Sequence, residues 1–311
     1  MQTVLITGGT GLVGKALTNA LLAKGYKVIV LSRNTGGKPA GENLSYARWD
    51  VKKQEIDTAA LHAADYIVHL AGAGVIDKKW TAAYKKEIVD SRTESSRLIF
   101  ESLKKTPDSY RDKVKAVISA SATGYYGADA EPVKLFTETD AADDSFLGQT
   151  CKSWEESIEP VSSLGKRLVK LRIGIVLSNE GGALAEFKKP IRFGAAAILS
   201  HGKQTVSWIH IDDLCRLFIW AIENETAAGS YNAVAPQPVS NKTLTLALAK
   251  AMKGKFYIPV HVPAFVLKLM MGQRSIEVLK STTVSCKKVM DAGFAFNFNT
   301  IEQALSNLLK K

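Results

Sequence analysis

The sequence predicts an α/β protein: a doubly wound parallel sheet followed by a smaller, mainly helical domain. Three observations predict this. Over residues 1–235, short apolar runs of strand length alternate with helical stretches. Glycine, alanine and hydroxyl residues cluster where those runs end, at Gly8–Gly14, Ala71–Gly74 and Ser119–Gly127. In open parallel sheets ligands sit outside the carboxyl ends of the strands, and the clusters fall there.

Composition sets the outer bounds. The chain has 311 residues, 46% hydrophobic and 23% charged, enough for a large core and a second domain. No apolar run reaches the roughly 18 residues of a membrane span. The chain opens on a core strand, so no signal or transit peptide is expected, and a cytoplasmic location is. Cys151, Cys215 and Cys286 lie far apart and make neither a disulfide framework nor a zinc pattern. No metal is expected. The net charge is +11, carried by scattered pairs such as Lys52-Lys53, Lys104-Lys105 and Lys287-Lys288. No basic tract with interleaved aromatics is present, so nucleic acid is not an expected partner. The excess charge suits an anionic small molecule.

The first strand, Thr3–Thr7, runs into Gly8-Gly9-Thr10-Gly11-Leu12-Val13-Gly14 and then a helix with Ala16, Leu17, Ala20 and Leu21 on one face. Gly8 allows a tight turn, Gly11 lets backbone approach a pyrophosphate, and Gly14 lets the helix pack on the sheet. The free N–H groups of the helix start favour phosphate. Thr7, Gly8, Thr10, Gly11, Leu12 and Val13 are therefore candidate cofactor-binding residues. The second strand, Lys27–Leu31, ends in Ser32-Arg33-Asn34. An NAD site usually has an acid here for the ribose 2′-hydroxyl; this chain has Arg33 instead, 19 residues past Gly14. A guanidinium fits a 2′-phosphate, which predicts NADP(H).

The third strand, Ser45–Trp49, ends at Asp50, a further cofactor candidate. The fourth, Asp65–Leu70, leads into Leu70, Ala71 and Gly72, again cofactor candidates by close backbone approach. Val75–Trp80 reads as an active-site loop, and a long helix spans Thr81 to Lys105. The fifth strand, Ala116–Ser121, carries Ser119, a further cofactor candidate, and runs into Ala122-Thr123-Gly124-Tyr125-Tyr126-Gly127.

Thr7–Gly14, His69–Gly72, Ser119–Gly127 and Trp208–Leu214 together resemble the extended short-chain dehydrogenase/reductase superfamily, a Rossmann fold. In detail the chain resembles the branch labelled "epimerase family protein". The matching pieces are Gly124–Gly127, Lys79-Trp80, Ser91-Arg92 and a C-terminal pattern of Val262–Phe265, Lys287-Lys288 and Ala292–Phe294. The resemblance covers nearly the whole chain. It implies a small-molecule, nucleotide-sugar-like substrate touched by Lys79, Trp80, Arg92 and Tyr126, with a solvated surface as the other reading of Lys79 and Arg92. It also implies Ser121 or Thr123 as the hydroxyl on the substrate oxygen, and Arg172 beside the nicotinamide.

One departure is large. The superfamily's chemistry uses a tyrosine with a lysine four residues later, on one helix face; the lysine lowers the phenol's pKa for acid/base work. None of the nine tyrosines here has that lysine. Aligning Phe146–Glu156 with the family pattern puts Leu147 at the tyrosine and Cys151 at the lysine. Tyr125 is the nearest substitute phenol, so Ser121, Thr123 and Tyr125 form the candidate catalytic set. Cys151 reads as a packing residue.

Lys166–Val176 reads as a sixth strand, 178–205 as a cover over the site, and Asp212 as the cap of the next helix, with His210 packed before it. Tyr231–Pro236 closes the large domain. Ser240 caps a helix, Asn241–Met252; a strand, Phe256–Val260, and a very apolar helix from Pro263 follow. That helix is expected to be buried against the large domain or another chain, which would make a homodimer. Thr300–Leu309 is an amphipathic closing helix. Residues 1–177 and 206–235 are expected to form the NADP-binding domain, and 178–205 and 236–311 the small one. Two functions follow: an NADP(H)-dependent oxidoreductase or epimerase-like enzyme with a degenerate Tyr/Lys pair, or a non-catalytic NADPH-binding sensor or scaffold.

Overall fold

In the computed structural model, which describes residues 1–310 apart from 39 and 132, seven strands form one parallel sheet. They are β1 (Thr3–Thr7), β2 (Lys27–Ser32), β3 (Leu44–Asp50), β4 (Tyr66–His69), β5 (Ala116–Ala122), β6 (Arg167–Ile173) and β7 (Gly229–Ala233). Their spatial order is β7-β6-β5-β4-β1-β2-β3, with a two-residue antiparallel strand, Glu55–Ile56, on the β3 edge. The order reverses direction at β1, so β1 and β4 flank the topological switch point where such sheets bind ligands.

Alternating side chains serve two cores, because a strand turns successive residues to opposite faces. Val4, Ile6, Val28, Val30, Val68 and Ile118 pack on one face with Leu17 and Leu21 of α1 (Leu12–Ala23). Leu5, Leu31, Ile67 and Val117 pack on the other with Leu98, Ile99 and Leu103 of the long helix α2 (Ala82–Lys105). That second face also takes Ile158 of α3 (Phe146–Ile158). Thr81 caps α2 by accepting from the Tyr84 N–H.

The expected sixth strand is shorter than its apolar run. β6 stops at Ile173, and Ile175–Leu177 pairs instead with Trp208–His210. Gly174 is the reason: a Cβ there would lie 2.5 Å from the Ser207 carbonyl oxygen, so only glycine lets the chain pass from β6 along the 207–210 segment. The stretches 178–205 and 236–311 share strands, with Ala195–Leu199 parallel to Ile258–Val262 and Thr205–Val206 antiparallel to Val239–Ser240. Between them lie α4 (Gly182–Arg192) and α5 (Ile211–Glu223), then α6 (Asn241–Lys253), α7 (Ala264–Met271) and α8 (Ile301–Leu308).

Two other expectations change. His210, not Asp212, caps α5: its Nδ1 accepts from the Asp212 N–H at 3.0 Å, which leaves Nε2–H to donate to Asn307 Oδ1 at 3.1 Å. A hydrogen-bonding side chain at a helix start ranks by geometry rather than residue type, and the imidazole reaches first. The strand expected at Phe256–Val260 runs Ile258–Val262. The apolar helix α7 buries only Leu267; Phe265, Leu269 and Met270 are 71%, 85% and 70% exposed within this chain.

Helix α5 is tied to the segment 297–298. Buried Asp213 accepts from the Asn297 and Phe298 N–H groups at 2.9 Å each and from Arg216 at 2.7 Å, while His210 stacks on Phe298 at 3.8 Å. No described helix is long and apolar enough to cross a membrane. Asp213→Ala leaves two backbone donors unpaired and is expected to destabilise the protein by roughly 2–4 kcal/mol, read from the urea midpoint.

Candidate functional site

The strand-end cleft begins at the glycine turn. Gly8 has φ +69°, and a Cβ there would lie 2.8 Å from the Leu70 carbonyl carbon and oxygen. A Cβ at Gly14 would lie 2.3 Å from the Gly8 oxygen. The turn is thus fitted against the end of β4 and the start of α1 with no room for side chains. No side chain caps α1 at Gly11, and its first turn has no acid, so its N–H groups and positive end face the cleft uncompensated. Thr10 and Gly11 are exposed there, and Leu12 and Val13 are half-buried. These residues fit a dinucleotide pyrophosphate.

Thr7 is placed behind this surface. Its fully buried Oγ1 accepts from the Leu70 and Ala71 N–H groups at 3.1 and 3.2 Å and stands 2.8 Å from His69 Nδ1. With both lone pairs used, the Thr7 hydroxyl donates to Nδ1. His69 Nε2–H then points to Ser96 Oγ at 3.2 Å and Ser95 Oγ at 3.3 Å. Both serines donate their own protons to main-chain carbonyls of α2, so they accept from the imidazole. His69 is therefore neutral, and burial, helped by the nearby Arg92 charge, lowers its pKa to about 3. This network holds the ends of β1 and β4 in register under the turn.

At the end of β2, Arg33 is exposed. Lys38 folds back onto the Ser32 hydroxyl and lies 5.1 Å from the Tyr46 ring centroid. Two cations, Arg33 and Lys38, thus stand at the end of β2. Lys38 carried no sequence signal, because the loop return that brings it there is tertiary. Asp50 ends β3, and its Oδ1 accepts from the Lys52 and Lys53 N–H groups at 3.0 and 3.2 Å.

Beyond β4 the chain lines the cleft with Leu70, Ala71 and Gly72. The loop Val75–Trp80 is tied down by Trp80 Nε1, which donates to the Val75 carbonyl at 2.8 Å, and by Tyr84, which donates to the Gly74 carbonyl. Trp80 packs edge-on against Phe146 at 5.1 Å, and Lys79 is exposed. Arg92 reaches in from α2. Its Nη1 donates to the Ala73 carbonyl at 3.1 Å and the Ile88 carbonyl at 2.8 Å, and its guanidinium lies 4.9 Å from the Trp154 ring centroid. A Cβ on Gly72 would meet that guanidinium at 3.1 Å.

At the end of β5 the geometry places Leu147 and Cys151 side by side on α3, 3.6 and 3.7 Å from the position of a Cβ on Gly124. They face the cleft floor, and neither is a phenol or an amine. Burial raises the Cys151 thiol to about 12, against the opposing pull of Arg92, so it stays protonated. Ser119 is buried and donates to the Ala120 carbonyl.

Below the floor runs a buried network. Arg172 makes a two-pronged pair with Glu155: Nε to Oε1 at 2.8 Å and Nη2 to Oε2 at 2.9 Å. Ser121 donates to Glu155 Oε1 at 2.7 Å, and Ser230 to Oε2 at 3.3 Å. Arg172 Nη1 donates to the Tyr126 hydroxyl at 2.9 Å, and Tyr126 donates to Asn232 Oδ1 at 2.7 Å. Desolvation works to raise the Glu155 carboxyl, but its bonds to Arg172 and Ser121 outweigh it and hold the pKa below the usual value. Three sequence candidates therefore lie in the wall rather than on it. Arg172 is neutralised by Glu155, Ser121 has its proton on Glu155, and Tyr126 is fully buried with its hydroxyl engaged. Glu155 itself carried no sequence signal beyond its place on α3. Thr123 and Tyr125 remain half-buried at the strand end, the Tyr125 ring 3.5 Å under the Arg172 guanidinium.

The His69 shift fixes a pH dependence. A histidine whose folded pKa lies below its unfolded value contributes stability fully above pH 6.5, and that stability falls as pH drops toward 3. Going from pH 7 to 5 is expected to cost about 2 kcal/mol from His69 alone. A denaturant series across pH should show this slope, and His69→Asn should flatten it.

The comparisons agree with this geometry. Residues 4–149 match the model of the NAD dependent epimerase/dehydratase family, and 262–308 match DUF1731, a domain of unknown function. An epimerase family protein of Staphylococcus aureus is 34% identical over 313 aligned residues, covering 100% of both chains. Among solved structures, human epimerase family protein SDR39U1 with NADPH superposes with a TM-score of 0.82 at 27% identity, covering 99% of each chain. A nucleoside-diphosphate sugar epimerase from Corynebacterium glutamicum gives 0.76 at 30% identity, over 99% of this chain and 58% of that one. With its strand-end glycine cradle, its parallel sheet and this full-length similarity, the chain belongs to the epimerase family, an NAD-dependent epimerase/dehydratase domain followed by a DUF1731 domain.

Proposed function

We propose that the chain binds NADP(H) in the strand-end cleft and moves hydride between the nicotinamide and a carbonyl or alcohol of a nucleotide-sugar-like substrate. The observation that carries this reading is the glycine cradle of Gly8–Gly14, closed against Leu70, with Arg33 and Lys38 at the end of β2 and no acid there. The NADPH in the human relative and the sugar-nucleotide activity named for the Corynebacterium protein support it.

The cofactor, when bound, supplies the hydride chemistry. The chain supplies the rest. The α1 N-terminus and the exposed turn hold the pyrophosphate, and Arg33 and Lys38 discriminate the 2′-phosphate. Thr123 or Tyr125 holds the substrate oxygen. Cys151 is a poor proton source at neutral pH, because burial keeps its thiol protonated. Tyr125 or water is left to exchange the proton. Leu147 and Cys151 at the floor also favour a second reading, a non-catalytic NADPH-binding sensor or scaffold, in which the lost pair is of no consequence.

A charge-assisted contact is worth roughly 1.5–3 kcal/mol, or about 10- to 150-fold. Arg33→Ala is therefore expected to weaken NADPH binding by about that factor while leaving NADH binding unchanged; unchanged NADPH affinity defeats the NADP(H) reading. Absorbance of the reduced nicotinamide, followed with a panel of carbonyl compounds and nucleotide sugars, separates the two functions. Turnover lost in Tyr125→Phe supports the enzyme. Tight NADPH binding with no turnover across the panel supports the sensor.

A further inference from the structure

The C-terminal domain presents a surface of exposed apolar side chains and cations. From Thr226 to Ile276 the chain has no aspartate or glutamate, although it has 30 of them elsewhere. The same stretch carries Lys242, Lys250, Lys253, Lys255, Lys268 and Arg274. Helix α7 buries only Leu267. Phe265, Lys268 and Leu269 share the opposite face of the helix by their spacing, and all three are exposed. In the segment before α7, Phe256 is 86% exposed and Ile258 70%. Ile258 and Val260 point to one face of their strand.

Contacts bring two further elements to this segment. The Ile258 N–H donates to the Gly194 carbonyl at 2.8 Å, which sets Phe193, 91% exposed at the end of α4, beside the strand. A shallow hollow lined by Lys250, Gly254, Lys255, Tyr257 and Pro259 joins the C-terminal end of α6 to the same strand. Pro263 then carries the chain directly from the strand into α7. Among the described residues Lys250, Lys253, Lys255 and Lys268 make no ion pair. Glu186 of α4 is taken by Lys189, and Glu277 by Lys280.

Large exposed apolar side chains rimmed by charge mark a partner surface. The sign of the charge selects the partner. A second copy docking through the same face would set these lysines against their own counterparts, with no acid of the segment to pair them. An anionic lipid surface supplies the missing negative charge, and its acyl boundary conforms to protruding side chains that a rigid partner would have to match. Helix α7 has eight residues, about 12 Å of helix, so it can lie in the interface but not cross the roughly 30 Å core. We propose that α7 and the strand before it dock the protein on an anionic bilayer surface. Phe256, Phe265 and Leu269 enter the acyl boundary, and Lys250, Lys253, Lys255 and Lys268 meet the lipid phosphates. None of these residues belongs to the strand-end cleft, so the docking is independent of what the cleft binds.

The test is co-sedimentation of the full-length protein with vesicles of phosphatidylcholine alone and of phosphatidylcholine mixed equally with phosphatidylglycerol. Binding to the mixed vesicles is expected to be at least about tenfold tighter than to the neutral ones and to weaken as salt is raised. Lys255→Gln combined with Lys268→Gln should weaken it by about 30-fold. Phe265→Ser combined with Leu269→Ser should weaken it by at least about tenfold. All four positions are exposed, and circular dichroism checks that both double variants fold. No binding to the mixed vesicles, equal binding to the neutral ones, or binding that either double variant leaves intact overturns the proposal. Sedimentation velocity reads the rival occupant: a dimer that Phe265→Ser with Leu269→Ser dissolves assigns the face to a second copy and overturns the proposal as well.

Discussion

The pairing of Arg172 with Glu155 holds together the part of the fold on which the cleft depends. It joins β6 to α3 under the end of β5, and its remaining hydrogen-bond positions reach Ser121, Tyr126 and Ser230. Asn232 carries the connection on to the Ser285 carbonyl in the C-terminal domain at 3.0 Å. Two charges this buried are worth keeping only when nearly every donor and acceptor is used, because desolvation otherwise exceeds the Coulomb gain. Here the carboxylate has four hydrogen-bond donors on its two oxygens, from Arg172, Ser121 and Ser230. That saturation converts several polar residues at a strand end, which look catalytic in isolation, into a rigid floor.

A second network does the same on the cofactor side. Thr7, His69, Ser95 and Ser96 tie β1, β4 and α2 together with a neutral imidazole at the centre. The glycine turn rests on this frame, so its N–H groups are held in position by buried bonds behind it. The cleft thus has two stiff walls, and among the described residues the first turn of α1, Arg33 and the Thr123 and Tyr125 hydroxyls have no side-chain hydrogen-bond partner. A site is defined as much by the polar groups the fold satisfies as by those it leaves open.

Much of the fold was legible because it follows local rules. Short apolar runs and the strand–glycine–helix signal of β1 and α1 placed the parallel sheet, and Ser240 announced its helix by N-capping chemistry. Misreadings arose where a distant residue decided. Apolar character alone extended β6 past Gly174, although the Ser207 backbone turns the chain there. Asp212 looked the better cap by residue type, yet the imidazole of His210 is held in reach by Phe298 and Asn307. For α7 the expectation named two partner surfaces, the large domain or another chain, and within this chain Phe265 and Leu269 are exposed.

The glycine spacing and the arginine after β2 already carried the cofactor reading in the sequence, since both act through backbone room and charge at known offsets from a strand. Absence of a Tyr/Lys pair was equally a matter of counting. Tertiary structure alone decided which polar residues are available for chemistry. Ser121, Arg172 and Tyr126 bond to partners 34, 17 and 106 positions away. The physical reason is that a hydroxyl or a charge has no fixed role until its partners are known. Spacing along a strand determines where a side chain points, and only packing determines whether something already meets it there.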